Sequence, residues 1–81
     1  MDLTEQKLRQ ILKRCQDATE GPWTSFVEGR DHDSGSNFIQ TSKDDIELFG
    51  ASVEDQDFIA SAKQDIPMLV YELAKLKGWS I

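Results

Sequence analysis

The sequence predicts a single small α+β domain with an N-terminal helix, a three-stranded antiparallel sheet and two C-terminal helical segments. Three observations carry this expectation. Leu8, Ile11, Leu12 and Cys15 recur at i, i+3, i+4 and i+7, the stripe of an amphipathic helix. Three short runs of aromatic and β-branched residues follow, divided by polar stretches of turn composition. Ile59, Ala62, Ile66, Leu69, Val70, Leu73 and Leu76 then return to helical spacing, straight through Pro67.

Asp2 followed three residues later by Glu5 has the form of an acidic capping box and predicts a first helix over 3–18. Gly21-Pro22 ends it, because glycine tolerates left-handed angles and proline cannot continue the hydrogen-bond ladder. The runs 23–28, 37–41 and 46–49 read as strands. Residues 29–36 form a polar loop bordered by glycines, with no apolar side chain to anchor it, and the stretch 30–36 is expected to be mobile. Residues 42–45 have hairpin length, so the three strands are expected to form a meander.

Ser52-Val53-Glu54-Asp55 has the [ST]-x-x-[DE] form that starts a helix, here expected to run to about Lys63. Pro67 is then expected at the start of a new helix or at a kink; the cleaner option has Asp65 cap a last helix, with Pro67 in its first turn, where a missing N–H matters least. Lys75 and Lys77 suit the negative end of that helix dipole and Gly78 supplies the stop. The periodicities nominate a core of Leu8, Ile11, Leu12, Cys15, Phe38, Ile46, Leu48, Ile59, Ala62, Ile66, Leu69, Val70 and Leu73. Trp79 and Ile81 follow the stop and have two readings, an anchor folded back on the core or half of a partner interface.

With 81 residues, 38% hydrophobic and 30% charged, the chain suits one domain with one core rather than a disordered segment. It has no run of about 18 apolar residues, so no membrane partner is expected. The start Met1-Asp2-Leu3-Thr4-Glu5 lacks the basic and apolar regions of a secretory signal, and Cys15 is the single cysteine. A reduced, cytoplasmic setting follows as the expectation. A net charge of −6 argues against direct binding of nucleic-acid phosphate, which needs concentrated Lys and Arg.

Asp31-His32-Asp33 groups the only histidine with two carboxylates, yet three consecutive side chains rarely converge on one zinc ion. As a calcium loop, Asp31, Asp33 and Asn37 alternate suitably, but the twelfth position is Ser42 instead of a bidentate Glu. No metal and no cofactor are therefore expected. Cys15 lies on an apolar stripe, Gly-x-Ser-x-Gly is absent, and neither GxGxxG nor GxxxxGK[ST] occurs, so catalytic residues are not expected either. The residues nominated for binding are Trp23, Arg30, Asp31, His32, Asp33, Ser36 and Lys43. In that set Arg30, Lys43 and the amides near Ser36 offer anion contacts, with Trp23 or Phe49 to stack on a base. The competing reading makes Trp23 and Phe49 core aromatics and Arg30 a surface charge.

Ala18-Thr19-Glu20-Gly21-Pro22-Trp23, Asp55-Gln56-Asp57-Phe58-Ile59-Ala60 and Asp65-Ile66-Pro67-Met68-Leu69 together resemble a pattern of small phage and prophage accessory proteins, the Ead-like group. Glu20 departs from the proline usual in that turn. The resemblance implies an accessory protein of a phage or mobile element that binds something in the host, and it brings no catalytic residues with it. A non-enzymatic protein that binds a host protein, as inhibitor or regulator, is the leading expectation. The alternative is a small-ligand or nucleotide-binding protein using residues 30–36, and a third reading is acidic mimicry of DNA.

Overall fold

The computed structural model describes residues 2–81. In chain order the elements are α1 (Glu5–Asp17), β1 (Thr24–Phe26), β2 (Phe38–Gln40), β3 (Asp45–Ile46) and α2 (Val53–Lys77). The strands form one antiparallel sheet in the order β1-β2-β3, with Ser25 opposite Ile39 and Ile39 opposite Ile46. Helix, antiparallel meander and C-terminal helix thus follow the expected order.

The first helix starts two residues later than its sequence signal. Thr4, not Asp2, is the N-cap, its hydroxyl accepting from the Lys7 amide at 3.1 Å. The strands are shorter than the runs that predicted them, at three, three and two residues. Ser52 and Asp55 form the predicted capping box, each side chain accepting from the other's backbone N–H.

The two expected C-terminal segments join into one helix of 25 residues, with Pro67 in its interior and no cap at Asp65. Proline in a helix removes one hydrogen bond and costs about 3 kcal/mol. Tertiary packing offsets that cost, because residues on both sides of Pro67 are tied down. Gln56 and Ala60 meet the sheet side, while Val70 and Ala74 pack on Leu8 and Leu12 of α1. Gly78 ends the helix at φ 71°, and the Trp79 amide donates to the Ala74 carbonyl at 2.9 Å. Trp79 and Ile81 then pack against the Leu8, Leu12, Val70 and Ala74 cluster, which favours the anchor reading of this terminus.

The buried residues are Leu8, Leu12, Val27, Ile39, Ala60, Val70 and Ala74, with Gln56 the one buried polar side chain among the described residues. Gln56 joins helix to sheet: its amide Nε2 lies 2.9 Å from the Ser25 hydroxyl, 3.1 Å from the Phe26 carbonyl and 3.2 Å from the Phe38 carbonyl. Three positions nominated for the core are corrected: Ile59 and Ile66 are 38% and 39% exposed and Leu69 is 60% exposed. Ile11, Cys15, Phe38, Ile46, Leu48, Ala62 and Leu73 are half-buried. The small residues Ala60 and Ala74 take the close contacts instead, because they let the backbones approach.

Truncating Leu8 to alanine should lower stability by about 2–5 kcal/mol in urea denaturation, whereas Leu69→Ala in dilute solution should change it by about 0.5 kcal/mol or less. Gln56→Leu, which strips the donor from two strand carbonyls, should lower it by about 1–3 kcal/mol.

Candidate functional site

The loop between β1 and β2 brings Arg30, Asp31 and His32 together with Asp57 of α2. The Arg30 guanidinium grips the Asp57 carboxylate with two parallel bonds, Nη1 to Oδ2 at 2.9 Å and Nη2 to Oδ1 at 3.0 Å. Its Nε donates to Asp31 Oδ2 at 2.9 Å, and the same oxygen accepts from the Val27 amide at 2.8 Å. Three donors are thereby spent inside the protein, and Arg30 is not a free anion-binding cation.

The sequence offers this loop no apolar anchor, but the fold supplies one in His32. Its ring lies 5.1 Å from that of Phe38 and 6.2 Å from that of Phe26, covering the sheet face opposite α2. Nδ1 accepts from the Ser34 amide at 3.0 Å, and Nε2 is buried without a hydrogen-bond partner. The Glu28 carboxylate accepts from the Gly35 amide and Asn37 from the Glu28 amide, so the segment is closed by its own polar groups. Of the remaining nominated residues, Asp33 is exposed and Ser36 half-buried in the same loop. Lys43 stands apart in the β2–β3 turn, its amide donating to the Thr41 hydroxyl at 3.1 Å.

Trp23 belongs to a different region. Its indole N–H donates to the Thr19 carbonyl at 2.9 Å, its amide donates to Gln64 Oε1 at 2.7 Å, and the Lys63 ammonium sits 5.6 Å from its ring centre. Lys63 also donates to the Cys15 carbonyl at 2.6 Å, at the negative end of α1. These bonds clamp the α1–β1 turn onto α2 and occupy both the polar edge and one face of the tryptophan.

Sequence reasoning missed an apolar cleft at the turn between β3 and α2. Leu48, Phe49, Gly50, Ala51, Phe58 and Ile59 line it, together with the acidic Asp55, around a volume of ≈ 500 Å³. Phe49 is fully exposed and Phe58 is 74% exposed. Gly50 at φ 78° makes the tight turn that holds Phe49 out. The available signal was Phe58, which falls outside the helical stripe of core positions. Among the described residues no group of three or more His, Cys, Asp or Glu converges on a metal position, and no helix is long and apolar enough to cross a membrane.

Comparison with protein-family models, with curated proteins and with solved structures finds no match for this chain.

The Arg30 hydrogen bonds, aided by the Ser25 hydroxyl, lower the Asp57 carboxyl from 3.8 to about 2. Asp31 is lowered too, chiefly by the Val27 amide. A carboxyl held below its unfolded value adds stability that is complete above pH ~4 and fades as pH falls toward that lowered value. Asp57→Asn should therefore be less stable than the parent at pH 7, and the gap should close between pH ~4 and ~2 in acid titrations followed by circular dichroism.

Proposed function

We propose that the protein is a non-enzymatic accessory protein of a phage or other mobile element that acts by binding a host protein. The observation that carries this reading is the apolar cleft lined by Phe49 and Phe58. A fully exposed phenylalanine on a glycine turn does little for the fold. Large exposed aromatic side chains lining an apolar cleft are the usual anchors of a protein interface. The polar loop at 30–36 supports the reading from the other side, because its Arg30, Asp31 and His32 are engaged within the protein.

The surroundings of the cleft define the chemistry of the partner. Glu47, Glu54 and Asp55 lie on the segments that line it, and the whole chain carries a net charge of −6. The segment that fits is one large apolar side chain flanked by Lys or Arg. Its apolar group would sit against the phenylalanines, and its flanking charges would steer the encounter and make association salt-sensitive.

A photo-crosslinking phenylalanine analogue placed at position 49 should label a discrete host protein in lysate, and Phe58→Ser or high salt should abolish the labelling. Phe58 is a surface residue, so that variant should keep the parent's circular dichroism. Labelling of the same protein from position 30, with none from position 49, would return the interface to the polar loop.

A further inference from the structure

We propose that the open face formed jointly by α1 and α2 pairs with the same face of a second copy of this chain, α1 of one copy lying over α2 of the other. The face adjoins the Phe49 cleft, with Ile59 lining both, but the pairing rests on residues outside that cleft and stands independently of the host-binding reading.

α2 carries two adjacent apolar stripes. Gln56, Ala60, Val70 and Ala74 form the buried one. Ile59, Ala62, Ile66, Leu69, Leu73 and Leu76 form the other, with spacings alternating between three and four residues, the repeat of helices that pack lengthwise on other helices. At 3.6 residues per turn the second stripe is centred roughly 120° around the helix from the first. Most of it is open: Ile59 and Ile66 are 38% and 39% exposed, Leu69 60% and Leu76 84%, while Ala62 and Leu73 are half-buried, Leu73 against the α1–α2 cluster. α1 brings Ile11, Cys15 and Ala18 beside it, and with Ile59, Ala62 and Ile66 they line a largely apolar groove that Trp23 and the cationic Arg14 and Lys63 also border.

The charges on the two edges of this face select its occupant. Beyond Ile11, one turn to either side, α1 presents Lys7 and Arg14, both exposed. Beyond Leu69, in the same relation, α2 presents Asp65 and Glu72, both exposed. One edge is basic and the other acidic. The helices run antiparallel, with Leu8 packed near Val70 and Ala74 and the Cys15 carbonyl bonded to Lys63. Lys7 therefore lies at the axial level of Glu72, and Arg14 at that of Asp65.

A two-fold axis parallel to the helices keeps each residue at its level while exchanging the two edges. It sets Lys7 of one copy opposite Glu72 of the other, and Arg14 opposite Asp65, across a shared apolar centre. An axis perpendicular to the helices would instead set the acidic edges against each other, which is unfavourable. The stripe from Ile59 to Leu76 is about 27 Å long, and two helices side by side are about 20 Å wide. Because α1 spans only about 20 Å of that length, the flat projection is about 500 Å² per copy, which the relief of the side chains raises toward the roughly 800 Å² per partner of a specific interface.

Sedimentation equilibrium of the parent at tens of micromolar should give twice the chain mass. Leu69→Asp should give the monomer mass with unchanged circular dichroism, since Leu69 is already largely exposed. The double variants Lys7→Glu/Arg14→Glu and Asp65→Lys/Glu72→Lys should each be monomeric alone and should form a heterodimer when mixed. A monomeric parent, a dimer indifferent to Leu69→Asp, or a mixture that fails to pair would overturn the proposal. So would a monomeric parent that captures a lysate protein through Leu69, because the face would then belong to a different partner.

Discussion

Everything in this fold rests on one long helix that must serve as the wall for both a shorter helix and a small sheet. α2 has 25 residues and is about 37 Å long, whereas the 13 residues of α1 span about 20 Å. The sheet adds strands of only two and three residues. The molecule is accordingly elongated, 47 × 25 × 18 Å. So little chain cannot wrap such a helix, and small domains bury a lesser fraction of their surface in any case. The uncovered apolar residues on α2 follow from that shortfall.

The same constraint explains how polar groups are used. With a core dominated by Leu8, Leu12, Ile39 and Val70, helix and sheet are joined by directional contacts as well as by burial. Gln56 links both strand carbonyls to α2, Arg30 fastens the β1–β2 loop to Asp57, and Gln64 holds the Trp23 backbone. The half-exposed Arg30–Asp57 pair is bidentate, so its geometry positions the loop even where solvent weakens its energy. Arg30, Asp31 and His32, which look like part of a binding loop in the sequence, are thus fasteners, and the apolar residues on the second stripe of α2 are left uncovered.

The order of elements was legible because local signals agree with the fold. The Leu8 to Cys15 stripe, the Ser52–Asp55 box and the Gly78 stop all act within a few residues. Pro67 misled for a physical reason: local preference favours a break before proline, whereas burial of Val70 and Ala74 keeps the helix going. Leu69 misled because periodicity reveals that a helix is apolar on two adjacent stripes without saying which one the rest of the chain covers. The site was the least legible part. Arg30 and Asp57 are 27 residues apart in the chain, and nothing local to either announces the pair. His32 read as an exposed polar group, since only the closed sheet creates the Phe26–Phe38 surface on which it lies.

The most direct test of this account is hydrogen–deuterium exchange along α2 in the free protein. A single helix organising both halves of the fold predicts that amides on either side of Pro67, in the turns of Ala60 and of Val70, exchange as one cooperative unit with similar protection. Rapid exchange around 64–66, with the two halves protected to different degrees, would show two independent segments and contradict it.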